Sequence, residues 1–383
     1  MAIRLFEPLE LRGLTLANRI VIEPMTQFST ADGVAGDWHI MHLGQFAVSG
    51  AAMVLSESCY VEAIARNHPN CLAIYSDEQE KAISRICGFF DTYGNAAFGL
   101  QLCHGGRKAS SRPHWEGGGK LAKEDGGYDS VAPSPIPIKP GWPAPRELSI
   151  ASIQSIVEMF ASSAARAARA GCRVLQLHAA HGYLIHEFLS PVTNARQDKY
   201  GGSLQNRMRF ALEVFEATRA AWPAESPLGI RISATDWIAG GWTVDQSITL
   251  AKQLDELGCD FIDVSTGGLA PQQQVETGPG YQIGFAAAIK NAIKNMKVTA
   301  VGQITEPRQA ETILRSGQAD MIGLARIALY NPRWPWVAAH ELGIELDYPN
   351  QYERANPKRW SIPGVSSPGN QAPQPVEKAA TSL

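Results

Sequence analysis

His178, His181 and Tyr183 follow one another within six residues, directly after the apolar run 172–177. That run has the unbroken hydrophobicity of a strand buried on both faces, as in a parallel sheet. Two imidazoles and a phenol supply hydrogen bonds and exchangeable protons. At the C-terminal end of a parallel barrel strand they would stand where the βα loops converge on one mouth. A second chemical group interrupts the apolar run 228–233 at Arg231. A guanidinium inside a strand requires an anionic partner.

The elements that must position these groups alternate regularly. Strand-like runs cover 19–24, 51–58, 97–102, 172–177, 228–233, 261–265, 298–302 and 320–324. Helical spacing covers 38–50, 78–93, 149–170, 206–222, 243–257, 285–294, 306–316 and 334–342. Ser149 reads as an N-cap and Gly171 as a C-terminal stop. Eight strand-helix units with right-handed crossovers specify an α/β fold, a (β/α)8 TIM barrel forming one domain over residues 1–360. Residues 5–18 alternate apolar and polar positions around Gly13, the pattern of a hairpin capping the barrel floor. Residues 109–148, after the third strand, are rich in Pro, Gly, Lys and Trp and too long for a simple connector, so a lid or subsite wall is expected. Residues 361–383 lack periodicity and read as a disordered tail.

Composition narrows the function classes. A net charge of −3 gives no basic surface for nucleic acid. No long apolar segment indicates a membrane helix or secretory signal, so the cytoplasm is expected. The six cysteines are scattered without a Cys-x-x-Cys pair, which argues against zinc or an iron–sulfur cluster, and no metal is expected.

The stretch His178-Ala-Ala-His181-Gly-Tyr183-Leu, followed by Phe188-Leu-Ser-Pro191, Asn194, Arg196, Tyr200-Gly-Gly-Ser203 and Asn206-Arg-Met-Arg209-Phe210, resembles the active-site segment of the old yellow enzymes. These are FMN-dependent ene reductases. The pattern is most similar to their bacterial thermophilic-like and xenobiotic-reductase branch, and the likeness runs over roughly 5–360.

The resemblance implies non-covalently held FMN with NAD(P)H as reductant. Gly302, Gln303, Ala325 and Arg326, on the loops after strands seven and eight, match the residues on the FMN phosphate, with Ala325 replacing a frequent glycine. Gln101 and Arg231 match the partners of the flavin's pyrimidine edge. Pro24, Met25, Thr26 and Ser58 match positions lining the ring; Thr26 stands where the branch usually has cysteine. By the same resemblance His178 and His181 hold the substrate's carbonyl or nitro oxygen, and Tyr183 protonates Cα of an activated alkene. Phe28, a usual tyrosine in the branch, contacts substrate from the wall. Arg354, in Gln351-Tyr352-Glu-Arg354, matches an arginine that reaches a neighbouring subunit's mouth, which implies a homodimer unit. His39, His42, His104 and His186 read as bystanders, while Arg107 and Lys108 fit either a salt-bridged turn or a place near the flavin.

Three other classes fit less well. A flavin barrel dehydrogenase feeding an iron–sulfur centre lacks its cysteine cluster, and an aldolase lacks a Schiff-base lysine within a strand. A non-enzymatic binding barrel would not need both histidines and the tyrosine.

Overall fold

The computed structural model describes residues 2–359; the tail expected over 361–383 lies outside the described residues. Eight parallel strands close a barrel: β1 (Ile20–Ile22), β2 (Met53–Tyr60), β3 (Ala97–Cys103), β4 (Val174–Ala179), β5 (Leu228–Ser233), β6 (Phe261–Ser265), β7 (Lys297–Ala300) and β8 (Met321–Leu324), with β8 pairing back onto β1. The helices between and after them are α1 (Asp37–Ala47), α2 (Asp77–Tyr93), α3 (Ile150–Ala170), α4 (Leu204–Ala221), α5 (Val244–Glu256), α6 (Ile283–Lys290), α7 (Pro307–Arg315) and α8 (Trp334–Glu341). Their starts follow local chemistry. Ser149, Ser203 and Thr243 accept the backbone N–H of the third residue onward at α3, α4 and α5, and Gly171 ends α3 at φ +95°.

The expected hairpin is present, with Leu9–Leu11 antiparallel to Leu14–Leu16. Its leucines pack with Val21, Met53, Leu55, Val174, Phe261 and Met321, so the hairpin plugs the barrel floor with an apolar cluster. Gly229 makes room there: a Cβ on it would stand 2.4 Å from the Phe261 ring. The polar mouth is therefore at the opposite, C-terminal end of the strands.

Register sets what the mouth presents. His178 pairs with Arg231, and Arg231 with Asp263, in one row across β4, β5 and β6. One inward layer lower, Gln101 pairs with Gln176, and a register shift between Leu55 and Ser58 brings Ser58 opposite Gln101. Because alternate residues face the same way, Gln176 and His178 point into the barrel together.

The structure changes one expectation and adds two features. The fourth strand ends at Ala179, not Leu177, so His178 lies inside the strand; the Ala180 N–H satisfies its Nδ1 at 3.2 Å, which lets an imidazole remain within a buried ladder. Leu184–Leu189 forms a fully buried helical turn to which the sequence reading assigned no element. The long segment 109–148 is not structureless: Val131–Ala132 pairs in parallel with Arg146–Glu147. The Arg196 guanidinium donates to Pro133 O and Leu148 O, tying that segment to the loop after β4. Among the described residues, no helix is long and apolar enough to cross a membrane.

Candidate active site at the barrel mouth

His178, His181 and Tyr183 meet as one cluster. The His178 ring lies edge-on to His181 at 5.2 Å and to Tyr183 at 4.7 Å between centroids. Burial, then the charge of Arg231, hold both imidazoles well below their ordinary pKa, so both are neutral. For His178 the tautomer follows: Nδ1 accepts from Ala180, so Nε2 carries the proton. His181 Nε2 pairs with Ser265 Oγ at 2.7 Å, leaving Nδ1 without a partner among the described residues. Burial raises the Tyr183 pKa, keeping the phenol protonated, and its oxygen accepts a hydrogen bond from Asn67 Nδ2 at 2.8 Å.

His181 occupies the left-handed region at φ +58°, unusual for a residue with a side chain. Its surroundings over-determine that conformation. Its N–H donates to Ser233 Oγ at 2.9 Å, and its carbonyl accepts from Lys108 Nζ at 2.6 Å. Lys108 Nζ also donates to Gly268 O, so one buried ammonium fastens the loops after β3, β4 and β6 together. Burial, then Arg107, pull its pKa down to about 8. Lys108 is thus neither a solvated turn nor a salt bridge, but a clamp under His181.

On the other side of the mouth, Arg231 lies between two buried carboxyls, with Glu23 Oε2 3.0 Å and Asp263 Oδ2 3.2 Å from its guanidinium nitrogens. The alignment is poor enough that Arg231 Nε and all four carboxyl oxygens lack a proper hydrogen bond. Burial, then Asp263, push Glu23 toward the neutral acid, while Arg231 stays cationic. Gly323 admits the Glu23 side chain, since a Cβ there would fall 2.4 Å from Oε1.

A cavity of about 450 Å³ runs from Arg231 past Ser265 to Gly302, Gln303, Ala325 and Arg326. Gly302 and Gln303 have φ of +118° and +52°. Ala325 has a negative φ of −119°, outside the left-handed region that would demand a glycine. Pro24, Met25 and Thr26 follow β1 and are half-buried. Phe28 makes edge contacts with His68 at 5.9 Å and with Trp115 of the long segment at 5.4 Å, so that segment does form a wall beside it.

The family of NADH:flavin oxidoreductases and NADH oxidases has a sequence pattern that matches residues 4–345. The chain belongs to that family. It is 41% identical over 352 residues to an NADPH dehydrogenase of Geobacillus thermodenitrificans, covering 91% of this chain and 98% of that protein. It is 37% identical to an NADH:flavin oxidoreductase of Gibberella zeae over 385 residues, covering 96% of this chain and 91% of that one. Among solved structures, morphinone reductase superposes with a TM-score of 0.74 at 28% identity, over 90% of this chain and 91% of its own. This flavin oxidoreductase therefore uses FMN, with NAD(P)H as reductant.

The residues present fit that cofactor. Ser58 Oγ donates to Gln101 Oε1 at 3.0 Å and Gln101 Nε2 to Gln176 Oε1 at 2.7 Å, and the chain ends on Gln176 Nε2, buried without an acceptor. Arg231 Nε, one layer up and only poorly aligned on Asp263 Oδ2 at 3.2 Å, is a second buried donor without a made hydrogen bond, and a ring with acceptor edges would fit beside the two. Buried donors without partners are rare enough to mark a ligand's place.

Other histidines are accounted for within the protein: His39 pairs with Glu57, His104 with Glu62 and His186 with Asp236, and His42 packs edge-on against Phe46. Arg354 is exposed on the helical turn Asn350–Ala355, whose Tyr352 packs against Trp336 and Arg333. Among the described residues, no group of three or more metal-ligating side chains is assembled. The sequence did not single out Gln176, Ser265 or Asn67.

Glu187, behind the mouth, accepts from the Arg107 N–H at 2.8 Å, while its other oxygen is buried and unpaired. Burial raises its pKa from 4.5 to about 8 despite Arg107. The folded state thus binds a proton that the unfolded state releases, so stability contributed by this group falls as pH rises between those two values. Glu187→Gln keeps the shape and removes the titration. Its denaturant midpoint is expected to match the parent's near pH 5 and exceed it at pH 8.5; equal shifts at both pH values would refute the assignment.

Proposed function

We propose that this flavin oxidoreductase is an ene reductase, acting on electrophilic alkenes: enones, enals, maleimides and nitroalkenes. The observation that carries the reading is the convergence of two neutral imidazoles and a protonated phenol on one point of the mouth. Reducing an activated double bond needs a donor cradle for the conjugated oxygen and a proton for Cα, and this cluster has both. Reduced flavin supplies the hydride to Cβ.

Within this reading His178 Nε2–H donates to the substrate oxygen, and His181 completes the cradle from Nδ1–H in the tautomer whose Nε2 accepts the Ser265 hydroxyl, at 2.7 Å, in place of the longer 3.3 Å contact from Ser265 to Gln282 Oε1. Being neutral, neither histidine gives up a proton early; each polarises. Tyr183 then delivers its proton to Cα. Arg231, Gln176 and Gln101 with Ser58 would hold the flavin's pyrimidine edge; Pro24, Met25 and Thr26 would line its ring, with the Thr26 hydroxyl as donor. Gly302, Gln303, Ala325 and Arg326 would receive the phosphate. Phe28 would meet substrate, and Arg354 would enter the mouth of a second copy in a homodimer.

Anaerobic single turnover tests the reading. Enzyme reduced with NADPH and mixed with cyclohexenone should return to the oxidised yellow form with stoichiometric cyclohexanone. If enones, maleimides and nitroalkenes all leave the flavin reduced while quinones or nitroaromatics reoxidise it, the alkene assignment fails, and a reductase of other acceptors takes its place.

A further inference from the structure

Tyr183 Oη is not free in the mouth. Asn67, on the loop after β2, directs its Nδ2–H at this oxygen from 2.8 Å. The amide is placed by its surroundings: its carbonyl oxygen is buried without a partner, and a Cβ on Gly105 would stand only 2.7 Å from it. The loop is fastened on both sides. Ser111 N–H donates to the backbone carbonyl of Asn67, and Arg66 donates to Pro69 O at 2.7 Å while pairing with Asp32. An asparagine with half its polar surface left unpaired, but its donor aimed at the phenol, is arranged for that one contact.

We propose that Asn67 is a positioning residue for proton delivery: its N–H occupies a lone pair of Tyr183 Oη, turns the phenol's proton toward the mouth, and stabilises the charge left when that proton departs. The inference rests on Tyr183 acting as proton donor. The step balances as follows. The Tyr183 O–H bond breaks, a C–H bond forms at Cα of the substrate enolate, and the negative charge passes from enolate to phenolate oxygen. A solvent proton afterwards restores the phenol. In the intervening state Oη is an anion, and a hydrogen bond to an anion is stronger than one to a neutral oxygen.

Burial opposes that anion, and the hydrogen bond from Asn67 eases it. Tyr60 eases it less. Its hydroxyl is fully buried with no aligned partner, and its ring belongs to the cluster against which Tyr183 packs. The Asn67 contact is the aligned one, and therefore carries the effect.

The test is a double-mutant cycle on the reduced holoenzyme, with cyclohexenone as oxidant in anaerobic stopped flow. Asn67→Ala is expected to slow reoxidation about 10- to 100-fold, the range for loss of a hydrogen bond to a charged group. FMN affinity, read by fluorescence quenching, and reduction by NADPH should match the parent. In Tyr183→Phe, adding Asn67→Ala should slow reoxidation no further, because its effect passes through the hydroxyl that is gone. Asn67→Asp keeps the shape but replaces the donor by an acceptor, and should lose at least as much as alanine.

Parent-like reoxidation in Asn67→Ala or Asn67→Asp overturns the proposal. So does a full additive loss in the double variant, or an equal loss in reduction by NADPH, which would mark a merely structural residue. A Tyr183→Phe enzyme as fast as the parent would instead overturn the proton-donor reading itself, and Asn67's role with it.

Discussion

Tyr183→Phe is expected to slow reoxidation of the reduced enzyme by cyclohexenone about 10²–10⁴-fold, the usual contribution of a general acid. FMN binding and the rate of reduction by NADPH should stay close to the parent's. The separation follows from the site's layout. The substitution keeps the ring that packs edge-on to His178 at 4.7 Å, and the groups fitted to the flavin lie on β3, β4, β5 and the loops after β7 and β8. Only the hydroxyl is removed. Burial keeps that hydroxyl protonated well above neutral pH, so the parent's rate should not fall between pH 6 and 9 through loss of the Tyr183 proton. Stopped-flow traces in the visible absorption band of the oxidised flavin separate the two half-reactions. An unchanged reoxidation rate would remove Tyr183 from the role.

The barrel was legible because its signals are local and repeated. Each of the eight strands is an apolar run, each following helix has the 3.6-residue spacing, and Ser149 and Gly171 cap α3 as read. The hairpin floor was equally plain, since leucines at alternate positions need a common apolar surface. The partner demanded by Arg231 was also foreseeable, though its identity was not: Glu23 sits more than two hundred residues away, and only strand closure from β8 to β1 brings it near. What escaped the sequence is of this kind. Asn67 stands in a polar loop with nothing in its neighbourhood to mark it, and its meaning comes from Tyr183 across 116 positions. Gln176 looked like one polar residue in an apolar strand until register placed it beside Gln101.

Lys108 shows why local reading stops at alternatives. From the sequence it fitted a salt-bridged turn as well as a cofactor neighbour. In the fold it caps two carbonyls, of His181 and Gly268, from different loops. Among the described residues, no carboxylate forms an ion pair with its ammonium. Its work is to hold His181 at a positive φ, where the Nε2 side reaches Ser265. The imidazole pair therefore owes its geometry to a residue 73 positions away.

His178→Ala is the second large effect expected. It should slow reoxidation by cyclohexenone about 10²–10³-fold, the range for loss of one preorganised oxyanion donor. The Ala180 N–H fixes Nδ1 as acceptor, so Nε2–H is committed to donation, and no rotation of a proton is needed when charge develops on the substrate oxygen. Burial, then Arg231, keep the ring neutral, so it acts as a donor and does not compete with Tyr183 to supply the proton. A phenolate tests the cradle without chemistry, because its oxygen already carries the charge that the substrate oxygen acquires. Titration of the oxidised enzyme with p-hydroxybenzaldehyde should give a long-wavelength charge-transfer band in the parent and a markedly weaker affinity in His178→Ala. Alanine also leaves space beside Tyr183 and His181, and a lower melting temperature is expected from the lost packing. The affinity must therefore be compared at a temperature where both proteins are folded and FMN-loaded. Parent-like phenolate affinity in that comparison would take His178 out of the cradle and leave the substrate oxygen to His181 and Ser265.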